Sequence, residues 1–142
     1  MQNELPFRKK KAAVPHVQIG AGVIWRGDRI LISQRPLNGL LGGLWEFPGG
    51  KREPGETIAH TVRREIREEL GIDVRVREKM AEVDHAYSHF TMTLHAHRCD
   101  YLRGKPQALG VAAWRWVKPA ELRRYAFPAA NQPIIERLLA ET

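Results

Sequence analysis

The sequence predicts a mixed α/β fold in which one sheet lies between helices. Three observations lead to this class. Short segments rich in Val, Ile and aromatic residues stand on both sides of one uninterrupted helical pattern, residues 57–70. A second helical pattern, 133–139, lies near the C-terminus, and residues 90–97 alternate apolar and polar side chains as a half-buried strand does. At 142 residues the chain can bury one sizeable core.

The strands are predicted in the order in which turn residues separate them. A turn at 26–29 divides the first two, and a glycine-bearing loop at 37–43 precedes the third. The predicted strands are residues 17–25, 30–34, 44–47, 74–76, 80–87, 90–97 and 114–117.

The helical patterns have recognisable ends. Between residues 57 and 70 there is no Pro or Gly, Pro54-Gly55 marks a turn before the start, and Gly71 is a natural stop. Pro119 stands where a helix often begins, so 120–125 is predicted as a short helix. The buried stripe of the central helix is expected to be Ala59, Val62, Ile66 and Leu70.

Carboxylates crowd the border of that buried stripe. Glu65, Glu68 and Glu69 share one side of the helix, where like charges cost a few tenths of a kcal/mol per pair. A divalent hard cation such as Mg²⁺ would reverse the sign of that interaction. The alternative is a solvated acidic face with surface salt bridges from Arg63, Arg64 and Arg67.

The same stretch resembles the signature of a known family. Its pattern, Gly50-x5-Glu56-x7-Arg64-Glu65-Ile66-x-Glu68-Glu69-x-Gly71-Ile72, looks like the Nudix box. Residues 127–133 resemble the tail of MutT-like enzymes, which hydrolyse oxidised guanine nucleotides. Residues 35–47 and 89–91 resemble the C-terminal domain of the MutY adenine glycosylases. The resemblance covers about residues 17–140 and implies the Nudix fold, an α/β/α sandwich.

The resemblance also implies an activity and its residues. The reaction is hydrolysis of a nucleoside triphosphate to monophosphate and pyrophosphate with Mg²⁺, for which Mn²⁺ can substitute. Glu68 and Glu69 are the expected metal ligands, and Glu65 is either a further ligand or the base. Glu56 and the backbone carbonyl of Gly49 or Gly50 are secondary metal candidates. Arg64 corresponds to an arginine that orients a catalytic glutamate; alternatively it is a surface i,i+4 partner of Glu68.

Substrate contacts are expected from four further residues. Asn131 falls where the MutT-like tail has its base-reading asparagine, and its amide suits the O6 and N7 edge of a purine. The alternative is a helix N-cap ahead of Pro133. Phe47, with Trp45 and Phe127, is either a stacking surface for the base or part of the core. Arg35 and Lys51 are candidates for phosphate contacts, or exposed charges at the rim.

Two observations limit the chemistry. MutT-like enzymes often carry another glutamate on a late loop, but residues 104–113 contain no acid. The proton acceptor is therefore expected within the helix. His85, His89, His95 and His97 lack a zinc-ligand spacing and are interpreted as structural.

Composition fits one domain in a reducing compartment. Cys99 is the only cysteine, so an internal disulfide is excluded and a cytoplasmic location is expected. No apolar stretch is long enough for a membrane span, and no signal peptide is evident. The net charge of +7 favours polyanions such as nucleotides. Residues 1–13 are predicted to be a flexible basic arm, and 14–142 a single Nudix domain.

Three functions remain open at this stage. The first is an oxidised-dGTP diphosphatase. The second is the same class of enzyme acting on another nucleotide, such as dCTP, CTP or a nucleotide sugar. The third is a non-catalytic module that reads oxidised guanine in DNA; the intact carboxylate set argues against it, and nucleic acid is not expected to be the main partner. The chain is expected to be a monomer or a homodimer.

Overall fold

The computed structural model describes residues 14–142, so the predicted arm, 1–13, lies outside the described residues. These residues form a seven-stranded sheet and two α-helices. The strands are β1 (His16–Arg26), β2 (Arg29–Gln34), β3 (Trp45–Glu46), β4 (Gly49–Lys51), β5 (Asp73–Ala86), β6 (Thr91–Arg103) and β7 (Ala113–Val117). The helices are α1 (Ile58–Leu70) and α2 (Gln132–Ala140), and short 3-10 helices span Pro119–Arg124 and Ala129–Asn131.

The sheet is mixed, as predicted. Its order is β3-β2-β1-β6-β5, with β4 paired to β1 and β7 paired to β2. β1 runs parallel to β6, from His16 opposite Thr91 to Trp25 opposite Asp100, and the other pairs are antiparallel. Because a parallel pair cannot be joined by a hairpin, the chain crosses through α1 between β4 and β5 before it returns as β6.

Helices cover both faces of the sheet, which confirms the α/β/α class. Along β1, Val23 packs into the core on the side of α2, and Ile24 packs into the core on the side of α1. Complete burial of such a side chain contributes about 1.5–3 kcal/mol. Helix α1 buries Val62, Ile66 and Leu70, three of the four residues of the predicted stripe, with Thr61 beside them.

The ends of α1 follow the predicted signals. The Thr57 hydroxyl accepts a hydrogen bond from the His60 backbone N–H at 3.1 Å, which satisfies one of the free donors of the first turn. Gly71 adopts the left-handed conformation, with φ of 71°, and donates its N–H to the Arg67 carbonyl. The capping pins both ends of the helix that carries the glutamates.

Three predicted elements differ in detail. The segments 74–76 and 80–87 form one strand, β5, whose register shifts between Val76 and Ala81 account for the break in the pattern. The segment 120–125 forms a 3-10 helix. β4 was not predicted, since Gly-Gly-Lys has no strand propensity and is held by its pairing to β1. In the part of the chain that is described, every helix is too short or too polar to cross a bilayer.

Candidate active site

A cleft of about 530 Å³ opens between β1, β4, α1 and the turn that joins β5 to β6. One end is polar and carries the carboxylates of α1 and β3. The other end is apolar and extends to the start of α2. Its principal lining residues are Arg35, Glu46, Phe47, Gly50, Lys51, Glu65, Glu69, Tyr87, Phe90 and Asn131.

Two glycines let β4 approach its neighbours closely. A Cβ on Gly49 would lie 2.7 Å from the Cα of Ala21, and a Cβ on Gly50 would lie 2.7 Å from both carboxylate oxygens of Glu65. Any larger residue at either position would displace the backbone or the carboxylate. The glycines therefore seat Glu65 at the wall of the cleft, where Gly50 and Glu65 both line it.

Three carboxylates share the polar end of the cleft: Glu46, Glu65 and Glu69. The side chains of Glu46 and Glu65 are 18% and 17% exposed. Burial raises the pKa of each, and neighbouring glutamates add to the shift. Burial, followed by the charges of Glu46 and Glu65, raises the pKa of Glu69 to about 9. The cleft thus disfavours the ionised form of these carboxyl groups in the absence of a cation.

One oxygen in this cluster has no protein partner. Among residues 14–142, Glu69 Oε1 is buried and accepts no hydrogen bond. Such an oxygen costs free energy unless a ligand completes it. Carboxylate oxygens at a crowded site are the donors that Mg²⁺ prefers. The residues present therefore fit a hard divalent cation, although no three acidic, His or Cys side chains within the described range are already arranged around one point.

Arg64 lies beside the cluster and donates four hydrogen bonds to three glutamates. Its Nε and Nη2 donate to Glu56 at 2.5 and 2.9 Å. Its Nη1 donates to Glu65 at 3.1 Å and to Glu68 at 3.2 Å. Arg64 thus contacts Glu65 and also pairs with Glu68 at i,i+4. Its role in orienting a catalytic glutamate stays a prediction. Hydrogen bonds from Arg64 are the main cause that lowers the pKa of Glu56 to about 2.

The predicted metal set is therefore divided by the fold. Glu65, Glu69 and Gly50 line the cleft together. Glu68 points outward, with its side chain 60% exposed. Glu56 is occupied by Arg64, by the Thr61 hydroxyl at 2.9 Å and by the Glu53 N–H at 2.9 Å. Spacing on a helix placed Glu65, Glu68 and Glu69 on one side but did not show which of them the core would bury.

The two predicted phosphate-binding residues differ in their surroundings. Arg35 donates to Glu46 at 3.0 Å and to the Leu40 carbonyl at 3.0 Å, so it joins the carboxylate cluster to the 36–44 loop. Lys51 is exposed at the rim of the cleft. Its carbonyl accepts from Arg64 at 3.1 Å. Both residues line the cleft, Arg35 inside the cluster and Lys51 outside it.

The apolar end of the cleft brings Asn131 and Phe47 together. Asn131 is 8% exposed and occupies the N-cap position of α2, but its side chain makes no capping hydrogen bond. Phe47 is buried and packs against Phe127, with ring centroids 5.3 Å apart. Phe47 is therefore both a core residue and a wall of the cleft. The amide of Asn131 remains available to a ligand there.

Sequence reasoning missed two residues of the cleft. Glu46 lies within the MutY-like segment 35–47 and Tyr87 ends the predicted strand 80–87, but neither is among the predicted site residues. A lone acid between Trp45 and Phe47, in an otherwise apolar strand, is the signal that marks Glu46 as buried and functional. Tyr87 stacks on Phe90, with centroids 4.9 Å apart, at the mouth of the cleft.

The acid-free loop and the histidines have identifiable contacts. The backbone N–H groups of Leu109 and Gly110 donate to the Glu69 carbonyl at 3.0 and 3.1 Å. This loop therefore caps the end of α1 and brings no carboxylate to the cleft. His95 bonds Gln18 at 2.6 Å, and His97 bonds the Arg77 carbonyl at 2.9 Å.

Comparison with known proteins agrees with the family that the sequence pattern resembles. The NUDIX domain family matches residues 20–137. The chain is similar to the CTP pyrophosphohydrolase of Escherichia coli, with 37% identity over 87% of this chain and 92% of the relative. It is also similar to the putative 8-oxo-dGTP diphosphatase 2 of Mycobacterium tuberculosis, with 41% identity over 72% of this chain and 73% of the relative.

A solved structure agrees with the fold as well. The solution structure of the E. coli ORF135 protein superposes with a TM-score of 0.79 and 36% identity, covering 91% of this chain and 92% of the other. The relatives include 8-oxo-dGTP diphosphatases, which confirms the MutT-like resemblance; the similarity of the flanks to MutY stays a prediction. Since the family match spans most of the described residues and the relatives are diphosphatases and pyrophosphohydrolases, the chain belongs to the NUDIX family and is a Nudix hydrolase.

Proposed function

We propose that this enzyme hydrolyses a nucleoside triphosphate to the monophosphate and pyrophosphate with Mg²⁺, and that 8-oxo-dGTP is its preferred substrate. One observation carries the proposal. A single cleft joins buried carboxylates, Glu65 and Glu69, to a buried amide, Asn131, whose side chain makes no capping hydrogen bond. Phosphates and base of one nucleotide would each meet the chemistry that recognises them.

The metal would be held at the polar end of the cleft. Glu69 would hold the metal with the carbonyl of Gly50 or Gly49, and Glu65 would either join them or act as the base. Glu68 would complete the site from outside, while Glu56, which is occupied by Arg64, would support it only indirectly. The unpartnered Glu69 Oε1 supports this assignment. A bound Mg²⁺, or Mn²⁺ in its place, neutralises phosphate oxygens and lowers the pKa of a bound water.

The protein supplies orientation and a proton acceptor. Arg64 holds one carboxylate oxygen of Glu65 through its Nη1 at 3.1 Å, and Glu65 lines the cleft. Burial raises the pKa of Glu65, which makes its carboxylate a stronger base for a proton from water. Because the 104–113 loop contributes no acid, this acceptor comes from α1. Arg35 and Lys51, which both line the cleft, would contact the substrate's phosphates.

The apolar end of the cleft would select the base of the nucleotide. Asn131 has both a donor and an acceptor, which match O6 and the protonated N7 of an oxidised guanine. Phe47 covers one side of the base. A buried amide left without a partner costs about 1–3 kcal/mol, which penalises a base lacking the matching groups.

CTP is the second candidate substrate. The observation in its favour is the similarity to the E. coli CTP pyrophosphohydrolase, which extends over 87% of this chain. A pyrimidine would use the same carboxylates and leave part of the apolar end of the cleft unfilled. The two candidates differ in the base and in the 2′-hydroxyl of the sugar, so kinetics that include dCTP separate them.

The test is steady-state kinetics on 8-oxo-dGTP, dGTP, CTP and dCTP, with Mg²⁺ and with chelator. We expect the highest kcat/KM for 8-oxo-dGTP and no turnover in chelator. Asn131→Ala is expected to lower the preference for 8-oxo-dGTP over CTP by about tenfold, the value of one hydrogen bond to a buried group. Asn38→Ala, in the exposed 36–44 loop, is the control.

Two results would contradict this proposal. A preference for CTP in the wild type would assign the pyrimidine substrate. Unchanged selectivity in a folded Asn131→Ala enzyme would remove Asn131 from base recognition, whichever nucleotide is preferred. Oligomeric state and cytoplasmic location remain predictions.

A further inference from the structure

Of the three carboxylates that line the cleft, Glu46 is carried by a strand, β3, and not by α1. It forms an ion pair with Arg35, which directly follows β2 and lines the same cleft. The two strands pair at Ser33 with Glu46, and the Arg35 backbone N–H donates to the Leu44 carbonyl at 2.9 Å. Both members of the ion pair are therefore attached to backbone that the sheet holds in place.

Two acceptors hold the guanidinium of Arg35. Its Nη1 donates to Glu46 Oε1 at 3.0 Å, and its Nε donates to the Leu40 carbonyl at 3.0 Å. Because the guanidinium is planar, hydrogen bonds through two of its nitrogens fix its orientation. Within residues 14–142, its Nη2 donates to no protein group, and the side chain is 33% exposed. Arg35 therefore keeps the two N–H donors of Nη2 for a ligand of the cleft.

The charge of Arg35 acts on both ends of the cleft. Burial raises the pKa of Tyr87 at the mouth, and the charge of Arg35 partly offsets this rise. Burial is also the main cause that raises the pKa of Glu69 in the carboxylate cluster, and Arg35 again acts in the opposite direction. A cation that acts on both groups is placed to meet the phosphates, which join the base of a nucleotide to its reacting end.

The burial of Glu46 has a cost that the ion pair does not remove. The side chain of Glu46 is 18% exposed. Burial raises its pKa, although the charge and the hydrogen bond of Arg35 act against the rise. Removal of two charges from water costs free energy that their attraction offsets only in part. A carboxylate that occupies a cleft at such a cost is typical of a functional residue.

We propose that Glu46 is a positioning residue for phosphate binding, which holds the Arg35 guanidinium in the orientation in which Nη2 donates to the substrate's phosphates. An arginine without this anchor has to be immobilised when the nucleotide binds, which weakens binding about two- to tenfold per side chain. This role rests on the proposed function for its physiological ligand. Inorganic pyrophosphate tests it without turnover.

Three substitutions of Glu46 separate positioning from charge. Glu46→Ala and Glu46→Gln remove the same charge, but the glutamine keeps an acceptor oxygen for Arg35. Glu46→Asp keeps the charge and withdraws the carboxylate by one methylene. Loss of a negative charge beside a phosphate site strengthens phosphate binding, whereas loss of the anchor weakens it. The informative comparisons are therefore Ala with Gln and Asp with wild type, because each pair has equal charge.

The measurement is titration calorimetry of the resting enzyme with magnesium pyrophosphate, with KM for 8-oxo-dGTP in parallel. We expect Glu46→Ala to bind pyrophosphate about two- to tenfold more weakly than Glu46→Gln, and Glu46→Asp to bind it more weakly than the wild type by a similar factor. KM should follow the same order. In an Arg35→Gln background, the difference between Glu46→Ala and Glu46→Gln should disappear.

Asp100→Ala is the control, since it breaks an ion pair of the same kind, Arg77 to Asp100 at 2.8 Å, outside the cleft. It should leave pyrophosphate binding unchanged. Thermal unfolding shows which variants are folded. If Glu46→Ala does not fold, the comparison of Glu46→Asp with the wild type decides the same question.

Equal pyrophosphate binding by folded Glu46→Ala and Glu46→Gln would overturn the proposal, because the role of Glu46 would then be its charge. A difference that persists in the Arg35→Gln background would overturn it as well, since Arg35 would not transmit the effect. So would a wild type that does not bind pyrophosphate. Failure of the wild type to hydrolyse any nucleotide would reject the proposed function, while the titration would still decide the role of Glu46.

Discussion

Glutamates on the two sides of Arg64 differ in their electrostatic state. On the outer side, Glu56 accepts two hydrogen bonds from Arg64 and one each from Thr61 and Glu53, and its pKa falls to about 2. On the cleft side, Glu69 lies among Glu46 and Glu65, and its pKa rises to about 9. The negative charge of a glutamate is therefore fully compensated at position 56 and uncompensated at position 69.

This difference distinguishes a glutamate that stabilises the site, Glu56, from glutamates that can bind a cation, Glu65 and Glu69. A compensated carboxylate such as Glu56 organises its neighbours and has little further affinity for a cation. An uncompensated cluster such as Glu65 and Glu69 gains most from one, because a cation removes both the burial cost and the mutual repulsion. Perturbed carboxylates in a cleft are the expected mark of an active site.

The largest expected effect is at Glu69. Glu69→Gln keeps the shape of the side chain but removes the uncompensated charge, and we expect kcat to fall by about 10²- to 10³-fold, as for loss of a major electrostatic contact in the transition state. Pyrophosphate release under saturating substrate measures it. Glu136→Gln, at an exposed position on α2, is the matched control. Near-normal kcat in Glu69→Gln would mean that the uncompensated cluster is not the reactive one.

Arg64 should give the next largest effect. Arg64→Gln releases Glu56 and Glu65 together, and we expect activity or Mg²⁺ affinity to fall by about 10- to 100-fold, the range for groups that orient metal ligands. Metal titration of activity separates the two quantities. Arg75→Gln controls for charge. If Glu56→Gln matched Arg64→Gln in full, the compensated side would be essential in its own right and not through Glu65.

The effect of pH on stability should have opposite signs on the two sides. Because the pKa of Glu69 is about 9 in the fold, the folded state holds a proton that the unfolded state releases above its ordinary pKa of 4.5. Stability of the metal-free enzyme should therefore decrease as pH rises from about 4.5 to about 9. One group gives at most about 1.4 kcal/mol per pH unit.

The sign reverses for Glu56. Its pKa of about 2 lies below the ordinary 4.5, so its contribution is present above pH 4.5 and is lost as pH falls through about 2. Denaturant unfolding with chelator across this range is the measurement. Glu69→Gln should flatten the alkaline branch and Glu56→Gln the acid branch. A wild-type curve that rises between pH 5 and 9 would disprove the assignment for Glu69.

Much of the fold was predictable because its signals are local. The caps of α1, the turn at 26–29 and the alternation in β6 each depend on residues a few positions apart. The break in β5 and the pairing of β4 depend on partners distant in sequence, Cys99 to Ala96 for β5 and Ile19 to Ala21 for β4. No local pattern carries that information.

The residues alone determine that a capped amphipathic helix will present several glutamates and one arginine on neighbouring positions, since 3.6-residue geometry and composition suffice for that. The folded structure then decides which of these side chains are buried and which are protonated. The close approach of Gly50 buries Glu65, and the charge of the neighbouring Glu46 helps to raise the pKa of Glu69. Arg64 donates hydrogen bonds to Glu56 and Glu68. Charge state depends on burial and on neighbours from distant strands, which a helical pattern does not contain.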